Sequence, residues 1–247
     1  MLNSRVLTPP SCHISKILHL FPKVKQVEKH NKKIQKKIDS KTINIRAKHV
    51  FSQNDIAKNN EVSDDLIPKD DRDAGGLPLL LTVSCGTRVM LIRNIYTNQG
   101  LVNGAMGYVE LIEFNANTKE PKYIYVKFDD GNVGKILQNS SAHNAIPIEP
   151  IQQEFHYNGR CIVREQFPLI PSWACSIHKV QGASLDQAAI SIGNEVFQNG
   201  MSYVALSRVR TLGGIYLIAF NPNKVKPCFK VVEEYERLRR LVNTSQT

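Results

Sequence analysis

Trp173-Ala-Cys-Ser-Ile-His-Lys-Val-Gln-Gly-Ala-Ser-Leu-Asp186, followed downstream by Met201-Ser-Tyr-Val-Ala-Leu-Ser-Arg-Val-Arg-Thr211, is the stretch that decides the fold. In the first segment Ser176, His178, Lys179, Gln181 and Ser184 gather around Gly182, just after an expected strand ending near Ile177. Ligands of open α/β sheets sit outside the carboxyl ends of strands. Short hydroxyls, an ammonium and an amide suit phosphate and backbone contacts there, and Gly182 would let the backbone come close to a ligand. The same residues also read as an ordinary polar strand–helix loop, with His178 structural. In the second segment an expected helix over Glu195–Ser207 packs Tyr203, Val204 and Leu206 into a sheet and presents Ser207, Arg208 and Arg210 at its end. An arginine offers a planar, permanently charged fork that matches phosphate oxygens. Equally, an arginine pair can cap a helix C-terminus through the dipole.

Outward from these segments the chain alternates between strands and helices. Ala188–Ile192 and Ile215–Phe220 read as strands, and Val231, Tyr235, Leu238 and Val242 mark a final amphipathic helix. Strand–helix alternation implies a mostly parallel α/β sheet. Upstream, Ile14 to Phe21 reads as a short strand stopped by Pro22. Residues 23–38 form a basic helix with Val24, Val27, Ile34 and Ile38 on one stripe, its lysines either a solvated face or a nucleic-acid contact. Thr42 to Val50 alternates like a strand, and 52–76 is polar, a loop or mobile insert.

Between Leu77 and Leu169 the period changes to two. Strands are expected at Thr87–Ile95, Gly107–Phe114, Tyr123–Phe128, Ile146–Phe155 and Arg160–Phe167, with hairpin turns at Asp130-Gly131 and Asn158-Gly159. Short strands at this spacing imply a small antiparallel barrel. The barrel thus interrupts an α/β domain.

The 247 residues carry a formal charge of +10, which favours anionic partners, nucleic acid first and anionic membrane second. Five scattered cysteines with no C-x-x-C argue against a zinc ribbon or a secreted disulfide scaffold, and no metal site is expected. No apolar run reaches the ~20 residues that span a bilayer, so a soluble intracellular protein without a membrane partner is expected. No Ser-His-Asp, Cys-His or H-E-x-x-H set offers another chemistry.

Taken together, the two quoted segments resemble the last two motifs of the PIF/RecD-type superfamily 1 DNA helicases, with Tyr203-Val-Ala-Leu-Ser-Arg208 the most specific part. Gly86–Asn94 with Gly100–Gly107 resembles the entry to that family's inserted barrel, and Phe167–Ala174 its exit. Leu20–Asn31 resembles the first strand and helix of its second motor domain. The resemblance implies an α/β fold: a RecA-like (P-loop NTPase-type) second motor domain carrying a small SH3-like β-barrel. Its implied layout is a flexible 1–14; a first part of the RecA-like domain at 15–84, including loop 52–76; the inserted barrel at 85–170; and the remainder, with the C-terminal helix, at 171–247.

The resemblance also implies roles. Arg208 would reach the γ-phosphate of ATP as the catalytic arginine, with Gln181 and Gly182 also near the nucleotide. Ser176, His178, Lys179 and Ser184 would contact single-stranded DNA. In its complete form the family couples ATP and Mg2+ to 5′-to-3′ movement on DNA, in processes such as DNA repair, recombination and telomere maintenance. A eukaryotic member would act in the nucleus or mitochondrion.

The phosphate-cradling G-x-x-x-x-G-K-[ST] loop and the acidic magnesium motif are not among these residues. The one Gly-Lys pair, Gly134-Lys135, has Asp129 where the loop needs glycine and is followed by Ile136. Asp129-Asp130 after an apolar run imitates a magnesium motif but reads as a strand ending in a turn. ATP and Mg2+ would therefore be shared with an N-terminal RecA-like half, in cis or in trans. The alternatives are a non-catalytic single-stranded DNA-binding module and a decayed helicase fragment.

Overall fold

The computed structural model describes residues 17–38, 40–52, 62–137, 144–227 and 229–244. In chain order the elements are β1 (Leu18–Phe21), α1 (Val24–Gln35), β2 (Ile43–Arg46), β3 (Lys48–Phe51), β4 (Leu80–Val83), β5 (Arg88–Leu91), β6 (Met106–Phe114), β7 (Pro121–Phe128), β8 (Ile146–Ile148), β9 (Ile151–Tyr157), β10 (Arg160–Gln166), β11 (Leu169–Pro171), β12 (Ala174–Ser176), β13 (Ala188–Ile192), α2 (Met201–Leu206), β14 (Ile215–Phe220) and α3 (Phe229–Thr244). Short 3₁₀ turns punctuate them. The chain divides into two compact units: one ends at Ile34 and resumes at Trp173, and the other is Gln35–Ser172.

The first unit is built on a parallel four-stranded sheet in the order β12-β1-β13-β14. A parallel strand covered on both faces has no polar side to offer. Accordingly every residue of β13, Ala188-Ala-Ile-Ser-Ile192, is buried, and Leu18 and Leu20 of β1 lie in the same core. Helix α1 agrees with the expected basic helix, and of its expected apolar stripe only Val24 fails to turn inward. Val24 is exposed, whereas Val27, His30, Asn31 and Ile34 are half-buried and the lysines face solvent.

Asn31 has a specific task. Its Nδ2 donates to the Ala174 carbonyl at 3.0 Å, and the Ala174 N–H donates to its Oδ1 at 2.7 Å. The side-chain amide thus gives edge strand β12 the paired bonds that another strand would supply. Beside it, the rings of His30 and His19 lie 4.2 Å apart. Burial, then the neighbouring His19 and Lys33, lowers the His30 pKa from 6.5 to about 4.

The second unit is antiparallel throughout. A five-stranded sheet runs β11-β5-β6-β7-β8, beside a three-stranded sheet β3-β10-β9 and a β2-β4 pair. Leu81, Val89, Leu91, Val109, Ile124, Val126, Ile146 and Ile148 form its main core. The strands expected between Leu77 and Leu169 are present with shifted ends, and Ile146–Phe155 divides into β8 and β9 around Glu149-Pro150. The Thr42–Val50 run divides at buried Ala47, β2 pairing with β4 and β3 with β10. Those pairings place β2, β3 and β4 in the antiparallel unit. The sequence-based boundary at 84/85 therefore differs from the observed division at 34/35.

The polar segment 52–76, expected as a loop or a mobile insert, is an ordered loop over its described part. Residues 53–61, like 1–14, lie outside the described residues. Residues 62–76, however, carry two 3₁₀ turns and are tied down. The Asp71 carboxylate accepts from the Leu79 N–H at 2.9 Å and from Arg164 Nη1 at 3.2 Å. The Arg164 side chain is fully buried; it also donates to the Leu77 carbonyl at 2.7 Å and to His49 Nε2 at 2.9 Å. Burial, then the charges of Arg164 and Arg46, lowers the His49 pKa to about 4, with Asp64 opposing.

The two expected turns diverge. Asn158 (φ 48) and Gly159 (φ 75) both take left-handed backbone and close the β9–β10 hairpin with two residues. Asp130-Gly131 does not close a hairpin. Asp130 accepts from the Asn132 N–H in an Asx turn, and Asp129 grips Arg88 through bonds of 3.1 and 2.6 Å. Among the described residues no helix is long and apolar enough to cross a membrane.

Two predictions follow from this packing. Asn31→Ala should lower stability by about 1–3 kcal/mol in denaturant titrations, because it strands a buried donor and acceptor on Ala174; a midpoint equal to wild type would refute the bracing role. Second, the folded chain resists protonation of His30 and His49 down to about pH 4, whereas unfolded histidines take up protons near 6.5. The stability they contribute is complete above pH 6.5 and is lost as pH falls towards 4. Melting curves across that window should decline in wild type and decline less steeply in His30→Gln and His49→Gln.

Candidate functional site

The two quoted segments meet in the first unit. The chain leaves β12, makes a 3₁₀ turn at Ile177–Val180, and crosses to the start of β13. Before that strand, the Leu185 N–H donates to the Arg208 carbonyl at 2.8 Å, and the Arg210 N–H donates back to the Leu185 carbonyl at 3.0 Å. A parallel bridge between Leu185 and Val209 completes the stitch. The Arg210 guanidinium adds an ion pair to Asp186 at 2.6 Å.

Arg208 is half-buried. Its Nη1 donates to the Ala183 carbonyl at 3.4 Å, its Nε to Val204 at 3.3 Å, and its Nη2 to Ser207 Oγ at 3.1 Å. The arginine is therefore held against both segments while part of its surface faces solvent. Only weak, long bonds to neutral acceptors restrain it, so a phosphate could claim the guanidinium at small cost.

Gly182 has φ +88, and no atom lies within 4 Å of where a Cβ would stand. Backbone conformation rather than crowding requires glycine there. His178, Lys179, Gln181 and Ser184 are exposed on either side. Ser176 is not: it is 7% exposed at the end of β12, where it pairs with Phe21. Of the residues expected to contact DNA, Ser176 is thus the one whose side chain is buried. Cys175 beside it is buried too, which pushes its thiol up to about 12 despite the opposing charge of Lys179.

The expected helix Glu195–Ser207 is shorter, beginning at Met201. The Gly200 N–H donates to the Lys226 carbonyl at 3.0 Å instead of entering a helical ladder. Its inward face also differs. Met201, Ser202 and Ala205 are buried, while Tyr203 is 73% exposed.

These changes divide the single cluster expected around Gly182. Helix α2 runs back against the strand direction, from the connection leaving β13 to the one entering β14. His178 lies by the first connection, with Nε2 3.3 Å from Gln198 Oε1 and its ring 6.2 Å from that of Phe197. Arg208, Ala183 and Ser184 lie by the second. The six-residue helix separates the two connections by ~9 Å.

A groove of about 730 Å³ opens at the His178 end. His178, Gln181, Tyr203, Lys226 and Tyr235 line it, and Tyr235 is 62% exposed. Lys226 and Tyr235 gave no signal in the sequence, since one lies in an irregular link and the other reads as the buried stripe of the last helix. That stripe is uncovered: Phe229, Val231, Tyr235 and Leu238 are all exposed.

The family described as "DNA helicase Pif1, 2B domain" matches residues 75–111. The human ATP-dependent DNA helicase PIF1 is 37% identical over 161 residues, covering 65% of this chain and 23% of that protein. The crystal structure of Pif1 helicase from Candida albicans superposes with a TM-score of 0.67 at 26% identity, covering 95% of this chain and 52% of that one. A Bacteroides Pif1 structure in complex with ADP-AlF3 and single-stranded DNA gives 0.61 at 25% identity, covering 96% and 48%. The chain thus spans less than a quarter of the human protein and about half of these solved chains.

Proposed function

Because the chain belongs to the Pif1 family of DNA helicases, we propose that it acts as the C-terminal motor half of an ATP-dependent 5′-to-3′ DNA helicase. The parallel-sheet unit is read as the second RecA-like domain and the antiparallel unit as an inserted SH3-like barrel. The observation that carries the reading is Arg208, held half-exposed against the Ala183 carbonyl by the stitched pair of motif segments.

These residues do not fit a self-sufficient ATP·Mg2+ site. They include no phosphate-cradling loop, and Asp129, the end of the one apolar-to-acidic run, is committed to Arg88. What the chain offers is a guanidinium able to stabilise charge on a phosphate held elsewhere. The nucleotide-holding RecA-like half would come from another part of the same polypeptide or from a separate one.

On this reading single-stranded DNA lies along the His178 end. Exposed Tyr203 and Tyr235 with Lys226 provide the aromatic faces and positive charge on which successive bases stack. Lys179 and Gln181 supply polar contacts to the backbone, while Ser184 lies at the Arg208 end of the helix. The same groove favours a second reading, a single-stranded DNA-binding module that needs no ATP.

Two experiments separate the readings. Supplying a phosphate-loop-containing RecA-like half should create DNA-stimulated ATPase activity absent from the chain alone, and Arg208→Ala should lower its kcat by about a thousandfold or more. Activity indifferent to that substitution would defeat the proposed role of Arg208. Fluorescence anisotropy with a single-stranded oligonucleotide should show binding that weakens as salt rises. Lys179→Ala should reduce the slope of log K on log salt by about 0.7. Absence of binding at low salt would remove the nucleic-acid role of this chain.

A further inference from the structure

We propose that Glu154, His156 and Cys161 form a binding site for a transition-metal dication of the zinc class on the outer face of the β9–β10 hairpin. One ligand atom from each residue, a carboxylate oxygen, an imidazole nitrogen and the sulfur, lies within 4.8 Å of the others. Among the described residues this is the one such group of His, Cys and acidic side chains.

The hairpin makes the arrangement local and stiff. His156 pairs directly with Cys161, one step in from the Asn158-Gly159 turn, and Glu154 follows two residues before His156 on the same face. Cross-strand partners of an antiparallel pair bring their Cβ atoms to about 4.5–5.5 Å. The opposite face carries Phe155 and Ile162, which are buried with Ala74 in a small core of their own. The backbone under the three donors is therefore fixed by packing that does not involve them. Glu154 and His156 are exposed and Cys161 is half-buried, so an ion can enter from solvent.

The donor set selects the ion. Thiolate with imidazole favours zinc and its neighbours over magnesium or calcium, which take oxygen ligands. Three protein ligands leave a fourth tetrahedral position for water. The Cys161 thiol donates to Glu154 Oε1 at 2.7 Å. On binding, the dication takes the place of that proton between sulfur and oxygen, forming a metal–thiolate bond and releasing one proton to solvent, with no change of oxidation state. Affinity therefore falls as pH falls, because protons compete for the same ligands. The ion would clamp β9 to β10, a structural part unconnected with the magnesium that accompanies a nucleotide.

The test uses the full chain, reduced and stripped with a chelator, titrated with Co2+ as an optical probe and then with Zn2+. The expected result is one equivalent of Co2+ with a sulfur-to-cobalt charge-transfer band that Zn2+ bleaches. Cys161→Ser should abolish the band. His156→Ala should weaken binding at least as much as the roughly 10–100-fold loss typical of supporting residues, and exposed Cys85→Ser should leave it intact. Zn2+ should raise the melting temperature of wild type but not of Cys161→Ser, a readout in which both proteins are compared folded. A wild-type chain that shows no band, or a band that survives Cys161→Ser, overturns the proposal.

Discussion

Strand β1 cannot exist as a buried parallel strand unless both its edges are paired, and both partners lie near the other end of the chain. Leu20 pairs with Cys175 on one side and with Ile190 on the other. Everything from Gln35 to Ser172 is therefore a closed excursion between the strands of one sheet. Closing so long a loop costs little more than closing a short one, since each doubling of length adds only ~0.6 kcal/mol. An excursion that folds on its own core reduces even that. Asn31 guards the outer edge of the arrangement, giving β12 the two backbone bonds its exposed side would otherwise lack.

The same constraint sets up the functional surface. Because β12 and β13 flank β1, the link between them must cross from one end of the sheet to the other. That crossing carries His178 and Lys179 at its start and Ala183 and Ser184 at its finish. Helix α2 makes the return journey, bringing Gln198 to one end and Arg208 to the other. A groove suited to stacked bases and an arginine suited to a phosphate therefore sit at opposite ends of one short helix. A shift of that helix would be felt at both, which under the proposed function would be a physical route between a nucleotide state and a grip on DNA.

The antiparallel unit solves a different problem. Its lesser sheet rests on a small core, and a fully buried arginine is admitted beside it. Arg164 is held there by hydrogen bonds that its Nε and Nη1 donate to His49, Asp71 and the Leu77 carbonyl. That network draws the segment after residue 62 onto the unit, and it holds His49 neutral well below the ordinary range. Removing one member of such a group leaves an uncompensated charge, which is more costly than the group itself is stabilising.

The residues alone determined a good deal: the strand–helix alternation around Ala188–Ile192 and Ile215–Phe220, the period-two stretch and the Asn158-Gly159 hairpin. These are local signals, because burial period and left-handed turns are written into neighbouring residues. Only the tertiary structure decided the rest. Ser176 is exposed or buried according to whether Phe21 lies beside it. Tyr203 faces solvent because Met201 and Ala205 claim the core. Strands β2 and β3 join the antiparallel unit because they pair with β4 and β10 there. Asp129 becomes an anchor because Arg88, distant in the chain, reaches it. Apart from Tyr203, whose exposure is set within its own helix, the deciding neighbour is remote in sequence, and no periodicity carries the identity of a remote neighbour.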